Sequence, residues 1–279
     1  MPTFSSQDIP DLHDQLSLHN PGRIYLAARS KDKATKAIKR LQEASPEGAD
    51  IQFLQLDLPS FKSVKAAAAR FLSRETRLDI LVNNAGIILT PEGLTKEGYE
   101  RQFGTNVIGP ALFTQLLMPV LQKTVKINSQ TRMVMLSSAA HARAPSNVYK
   151  FDEVRSAASN RHTTQRYTMS ELADLHYAKA LAERDREVKI IPVHPGMVAT
   201  DIHHAATGIF LKPFLYTAVV LFATPVEKGA LSQIFKSGQY YGPVGKAESG
   251  SKLAQDHGLR ETLFKWVQEQ LAGHVETLY

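Results

Sequence analysis

Short apolar runs alternate along this chain with longer segments of mixed polarity. The runs have the length and the branched side chains of β-strands, whereas the longer segments have the apolar spacing of helices. We predict strands at 23–28, 51–58, 78–84, 133–138 and 188–196, with helices between them. Because these strands are apolar on both faces, the pattern favours an α/β fold built on a doubly wound parallel sheet that helices cover on both sides.

The residues directly after each predicted strand are the candidates for function, because ligands of open parallel sheets bind beyond the carboxyl ends of the strands. In this chain they are polar or carry glycine, in contrast to the strands before them. They are Arg29, Asp57, 83–86, Ser137, Ser138 and 195–200. The polar segment 141–165 has no clear period, so we predict a long connection near the same edge.

Composition narrows the function classes. With 279 residues, of which 43% are hydrophobic and 22% charged, the chain can bury a core as one large domain. Lysine and arginine exceed aspartate and glutamate by only 33 to 27 and form no stripe, so we predict no nucleic-acid partner. The absence of cysteine excludes disulfides, thiolate catalysis and cysteine-ligated metals, and it is compatible with the reducing cytoplasm, where we expect the protein.

No targeting or membrane segment is expected. The first residues, MPTFSSQDIPDLHDQ, lack the basic and apolar regions of a signal peptide. The longest apolar stretch, 213–225, is shorter than the roughly 20 residues that span a bilayer, so no transmembrane segment is predicted.

Five motifs then occur in a characteristic order. They are Asn83-Asn84-Ala85-Gly86, Gln102-Phe-Gly-Thr-Asn106, Leu136-Ser-Ser138 followed by Ala140-His141, Tyr167, and His194-Pro-Gly-Met-Val-Ala-Thr200. Over roughly residues 20–270 the chain resembles the short-chain dehydrogenase/reductase family, in particular the retinol-dehydrogenase-like and fungal tailoring reductase branch. The resemblance implies one Rossmann-like domain over 1–279. It also implies an oxidoreductase that uses NADP on the carbonyl or hydroxyl group of a small lipophilic substrate, in secondary metabolism.

The resemblance also implies roles for individual residues. Tyr167 would exchange a proton with the substrate oxygen, Ser138 would hydrogen-bond that oxygen, and Asn106 would hold a water or backbone group in the proton relay. Arg29 would read a 2′-phosphate and Asp57 would bond the adenine. The remaining cofactor contacts would come from Asn83, Asn84, Ala85, Gly86, Pro195, Gly196, Val198 and Thr200. No metal site is predicted.

The N-terminus departs from the family pattern. The family places a strand, the phosphate loop T-G-x-x-x-G-x-G and a helix before the strand that ends in Ala-Arg, whereas 8–23 here reads DIPDLHDQLSLHNPGR with one glycine, Gly22. We therefore predict that 1–22 is a truncated cofactor-loop region, and that the first strand and first helix are missing or remodelled. Without this loop, the backbone N–H groups that bind the cofactor's pyrophosphate are missing, so we expect impaired cofactor binding.

The second departure lies four residues after Tyr167, where the family has a lysine and this chain has Glu171. The family's lysine lowers the tyrosine pKa and bonds the nicotinamide ribose. A carboxylate at that place should raise the pKa of the tyrosine, because it disfavours a neighbouring phenolate. It can still accept hydrogen bonds from ribose hydroxyls, so we predict a degenerate site with Glu171 among its residues.

Three hypotheses stay open. In the first, the chain is an oxidoreductase of this family, and the N-terminal gap reflects an exon left out of the recorded sequence. In the second, it is a redox-independent isomerase, cyclase or lyase that uses Tyr167, Ser138 and Glu171. In the third, it is a non-catalytic relative that binds a partner, as a homo-oligomer or a dimer with a homologue, through the helix at 167–185. The apolar region 205–225 falls where the family has its substrate lid, which favours a lipophilic substrate.

Overall fold

The computed structural model describes residues 22–44, 50–196, 236–242 and 245–279. The strands are β1 Ile24–Ala28, β2 Ile51–Gln55, β3 Ile80–Asn83, β4 Arg132–Leu136, β5 Lys189–Val193, β6 Tyr240–Tyr241 and β7 Ala247–Glu248. The α-helices are α1 Lys31–Ala44, α2 Phe61–Leu72, α3 Arg101–Phe103, α4 Gly109–Val125, α5 Phe151–Val154, α6 Thr163–Arg184 and α7 His257–Leu271.

The strands form two sheets in the described part of the chain. β1 pairs with β2 in parallel, and β3 to β7 form a second sheet in the order β3-β4-β5-β6-β7, which is parallel except for β7. The Rossmann-like α/β architecture predicted from the sequence is thereby confirmed. Strand β1 ends at its predicted residue, whereas β2 to β5 end one to three residues before their predicted ends, because the motif residues leave the sheet to form loops.

Within the described ranges no strand pairs with the outer edge of β1 or of β3. All five residues of β1 are only half-buried, and Val82 on β3 is 40% exposed. The predicted truncation at 1–22 concerns residues that, apart from Gly22, lie outside the described part, so it stays a prediction. The same holds for the lid at 205–225.

Helix α6 is a buried central helix that packs on the larger sheet, β3 to β7. Leu172, Leu175 and Leu181 are fully buried, and the helix packs between strand β5 on one side and helix α7 on another. Burial of each such leucine contributes roughly 1.5–3 kcal/mol to the free energy of unfolding. Most of the segment 167–185 is buried within this chain. The predicted dimer through that helix stays a prediction.

One continuous helical stretch, Arg101–Val125, is long and apolar enough to cross a membrane, but 89% of its apolar window is buried inside the fold. It is a core helix of the fold, and it packs on α2. Its middle, Gly104–Ile108, has π-helical hydrogen bonding, a local widening that often occurs at functional sites. The widening carries Asn106, one of the predicted site residues.

Gly109, at the start of α4, lies against the backbone of the loop after β2. A Cβ at this position would come within 2.4 Å of the Leu58 carbonyl oxygen, and a backbone oxygen cannot move aside cheaply. We expect Gly109→Ala to lower the free energy of unfolding by about 1–3 kcal/mol, as overpacking does. Urea unfolding measures it. The matched control is Gly258→Ala in α7, where the nearest atom to the new Cβ is Asp256 Oδ1 at 3.3 Å. Equal stability of the two variants would contradict the expectation.

Candidate active site

The two serines after β4 lie at the carboxyl edge of the sheet and contact the beginning of α6. Ser138 caps the short 3₁₀ helix Ala139–Arg143 by accepting a hydrogen bond from the Ala140 N–H at 3.1 Å. Ser137, to which the sequence pattern assigns no role, donates from Oγ to the backbone oxygen of Glu171 at 2.8 Å. This bond fixes the helix carrying Tyr167 against the end of the strand.

Tyr167 lies in the first turns of α6 and faces Ser138 and Glu171. The helix begins with a capping box between His162 and Gln165, which satisfies N–H groups at its start. Burial raises the pKa of Tyr167 well above its usual range, and the Glu171 carboxylate raises it further, whereas the interaction with Ser138 lowers it. The expected effect of Glu171 on the tyrosine pKa is therefore confirmed in direction, but burial is the larger cause.

Glu171 is itself buried, with 7% of its surface exposed. Burial raises the pKa of its carboxyl group to about 8, and the interaction with Tyr167 opposes that rise. Its carboxyl group is therefore mostly protonated at neutral pH, and a protonated carboxyl can donate a hydrogen bond or a proton. It makes no ion pair with any residue that the structure describes.

Asp174, one turn further along α6, was missed in the sequence. It is 3% exposed, and its Oδ1 is buried without a hydrogen-bond partner among the described residues. Burial, followed by the Glu171 carboxylate, raises its pKa well above the usual range. The sequence did contain a signal for this pair. Residues three apart lie on one helix face, and two carboxylates at that spacing on an apolar helix are unusual.

Asn106 braces the site from the π-helical turn. Its amide accepts a hydrogen bond from the Ile87 N–H at 2.8 Å and donates to the Ile87 oxygen at 3.0 Å and to Ser170 Oγ at 2.9 Å. It thus ties the loop after β3 to α6. The predicted role in a proton relay stays a prediction, because the contacts seen here are those of a structural bridge.

A cavity of about 480 Å³ opens between the carboxyl ends of β1, β2 and β3. Four of the predicted cofactor residues, Arg29, Asp57, Ala85 and Gly86, line it together. Two further cations that the sequence did not single out, Lys96 and Arg101, also line it. With three cations and one carboxylate, the cavity suits a ligand that carries phosphate.

The other predicted cofactor residues are not part of this cavity. Asn83 donates to Thr114 Oγ1 at 2.8 Å and thus braces helix α4, and Asn84 is exposed. Pro195 and Gly196 follow β5 at the same sheet edge, where Gly196 has a φ of 83°. Val198 and Thr200 lie outside the described residues.

Comparison with known proteins gives one consistent result. The short chain dehydrogenase family model matches residues 16–150. A short-chain dehydrogenase/reductase of Armillaria gallica is 34% identical, over 96% of this chain and 94% of the relative. Retinol dehydrogenase 14 of Mus musculus is 30% identical, over 90% and 78%. The solved structure of an NADPH-bound carbonyl reductase from chicken fatty liver aligns with a TM-score of 0.59 at 20% identity, covering 82% of this chain and 88% of that one.

The alignment with the Armillaria gallica relative also shows that the two chains differ in length within the aligned region. It runs over 300 positions but takes in about 268 residues of this chain, which is 96% of 279. The Armillaria gallica relative therefore has about 30 residues in the aligned region for which this chain has no counterpart.

Proposed function

The chain belongs to the short-chain dehydrogenase/reductase family of oxidoreductases, and from this we propose that it reduces a carbonyl group of a small lipophilic substrate with NADPH. Tyr167 is the proton donor and Ser138 holds the substrate oxygen. The observation that carries the proposal is the convergence of Ser138, Tyr167 and Glu171 at one sheet edge. The cavity lined by Arg29 and Asp57 opens at the carboxyl edge of the neighbouring strands.

The protonation state of Glu171 supports Tyr167 as the proton donor in the proposed reduction. Reduction consumes a proton at the substrate oxygen, and Tyr167 is a weak acid here because its pKa is raised. Glu171, with a pKa of about 8, is mostly protonated at neutral pH and can return a proton to the tyrosine. A proton donor with a pKa near the working pH is the most effective kind.

The residues present fit the adenosine half of the cofactor. Arg29 has the charge to bind a 2′-phosphate, Asp57 to accept from the adenine, and Lys96 and Arg101 add positive charge to the same cavity. Glu171 offers a carboxyl group to the nicotinamide ribose. NADPH supplies the hydride when it is bound. The glycine-rich phosphate loop has no counterpart in the sequence, so we propose that binding is weaker than in relatives that have it.

The lipophilic substrate is proposed on two supports, and a role in secondary metabolism on the resemblance to the fungal tailoring reductases. The stretch from 209 to 222 is rich in Phe, Leu and Val at the place of the family's lid. A relative that is 30% identical is named for retinol, a lipophilic alcohol, and another is a fungal short-chain dehydrogenase/reductase. A screen of apolar aldehydes and ketones with NADPH, followed at the absorbance of the reduced nicotinamide, tests the substrate class.

Removing the Arg29 side chain tests the cofactor preference. We expect Arg29→Ala to weaken NADPH binding about three- to tenfold and to leave NADH binding nearly unchanged, because an exposed charge pair with the 2′-phosphate contributes about 0.7–1.4 kcal/mol. Fluorescence titration measures both constants. The control is Lys31→Ala, two residues away at the start of α1 and outside the cavity lining. An equal loss for both nucleotides, or no binding of either at millimolar concentration, would contradict the assignment.

A redox-independent enzyme is the second candidate, and the buried Glu171 is the observation that favours it. A carboxyl with a pKa of about 8 beside a tyrosine can act as acid and base without any nucleotide. Isomerisation, cyclisation or elimination of an apolar substrate would then proceed in protein freed of nucleotide. Turnover that needs no added NADPH, and that Glu171→Gln abolishes, would support this candidate over the first.

A further inference from the structure

His141 lies one turn after the catalytic serine and is almost completely enclosed, with 4% of its surface exposed. Its ring makes three polar contacts with three different segments. Nδ1 lies 2.8 Å from the Ser138 backbone oxygen and 3.3 Å from Tyr240 Oη, and the Ser251 N–H donates to Nε2 at 3.2 Å. The backbone N–H of His141 also donates to the Ser138 oxygen, at 3.0 Å.

These contacts determine the tautomer of the ring. A backbone N–H can only donate, so Nε2 must accept and carries no proton. The Ser138 carbonyl can only accept, so Nδ1 must carry the proton. The neutral Nδ1–H form is therefore the one that satisfies both partners, and the Tyr240 oxygen accepts a share of the same Nδ1–H.

The approach of Ser251 depends on Gly250. Gly250 has a φ of 77°, in the left-handed region where glycine has no steric cost. A Cβ at this position would come within 2.9 Å of the Ala254 Cβ and 3.4 Å of His141 Nε2. The backbone at 250–251 is thus shaped to reach the imidazole, which joins the C-terminal segment to the loop that carries Ser138.

We propose that His141, in its neutral Nδ1–H form, is a positioning residue that holds the Ser138 backbone in place for the reaction. The proposal rests on the proposed function of Ser138. Two hydrogen bonds from one residue converge on the Ser138 carbonyl, and the far side of the ring is anchored at Ser251. Because these hydrogen bonds fix the Ser138 backbone, the Ser138 hydroxyl keeps its orientation toward Tyr167.

Protonation of the ring would break this brace. A proton on Nε2 would face the Ser251 N–H, so repulsion between two donors would replace the hydrogen bond from Ser251 to Nε2. Burial lowers the pKa of His141; the Ser138 carbonyl opposes this, His194 and Lys179 lower the pKa further, and Glu248 raises it. Tyr240 is the other titratable group against the ring, and its pKa is raised well above neutrality. We therefore expect activity to fall on the acid side of neutrality as the ring is protonated.

Paired substitutions test the proposal. His141→Asn keeps an N–H near the position of Nδ1, whereas His141→Phe keeps the ring and removes every hydrogen bond. We expect His141→Phe to lower kcat tenfold to a hundredfold with the KM for NADPH unchanged, and His141→Asn to stay within about threefold of the parent, in line with the effect of a misplaced catalytic group. Equal losses in the two variants, or no loss in either, would overturn the proposal.

The tautomer is measured without any activity. In protein labelled with ¹⁵N at histidine, the two ring nitrogens of His141 should have the distinct shifts of the Nδ1–H form at pH 7, identified by their absence in His141→Asn. An Nε2–H form or a protonated ring would overturn the proposal even if the enzyme is active. If the parent protein reduces no substrate but the Nδ1–H form is found, the proposed function fails while the brace stands. Circular dichroism melting shows whether His141→Phe is folded.

Discussion

Tyr167→Phe is expected to lower the turnover number for carbonyl reduction by a factor of about 10² to 10⁴, the usual contribution of a positioned proton donor. The substitution removes the hydroxyl group that interacts with Ser138 and Glu171 and keeps the ring. NADPH affinity should change less than threefold, because the role proposed for the hydroxyl is to exchange a proton with substrate rather than to bind the nucleotide. Steady-state kinetics and fluorescence titration measure the two quantities separately.

The matched control for Tyr167 is Tyr25→Phe. Tyr25 also loses a hydroxyl that bonds a carboxylate, Glu75 at 2.7 Å, but it lies on β1 outside the candidate site. We expect its turnover to equal that of the parent protein. Retained turnover in Tyr167→Phe would rule out the tyrosine as proton donor in either candidate function, and a similar loss in both variants would point to damage of the fold.

The second large effect concerns stability against pH, and Glu171 is its source. Its pKa is about 8 in the folded protein and near the ordinary value of about 4.3 in the unfolded chain. The folded state therefore binds more protons than the unfolded state between these values. Stability is fully present below about pH 4.3 as far as this group is concerned. It is lost as pH rises toward 8, by up to about 1.4 kcal/mol per pH unit for one proton.

Urea unfolding at pH 6 and pH 8 measures this slope. Glu171→Gln should reduce the slope by the part that Glu171 contributes, because the amide is neutral at both pH values and similar in shape. The control is Glu269→Gln on the exposed face of α7, which removes the carboxylate of an exposed side chain. A slope that persists unchanged in Glu171→Gln would mean that another group, such as Asp174, takes up the proton.

Much of the fold was readable in the sequence because each parallel strand is an apolar run with a polar end. The runs at 78–84 and 133–138 gave β3 and β4 within three residues. Strands β6 and β7 could not be found in this way, since two residues are too few for any period. Helix α7 does have the apolar spacing of a helix and an Asp256 cap, so its signal was present but carried no motif.

The candidate site was predictable only where its members share one element or one motif. Tyr167 and Glu171 are one turn apart, so their contact follows from helix geometry. The hydrogen bond from Ser137 to the Glu171 backbone and the contact of His141 with Ser251 join positions 34 and 110 residues apart. Such contacts depend on how strands and helices pack, and no local pattern encodes them. The cations Lys96 and Arg101 reach the cavity for the same reason.

Asp174 and Glu171 have a further consequence for how this chain folds. Both carboxyl groups are ionised in the unfolded chain at neutral pH, and burial favours their neutral forms in the folded protein. Folding therefore takes up protons from the solvent, and unfolding releases them. In a weakly buffered solution with a pH indicator dye, refolding from urea at pH 7 should raise the pH as the fold forms. The packing of helix α6 is thus coupled to the protonation of Glu171 and Asp174.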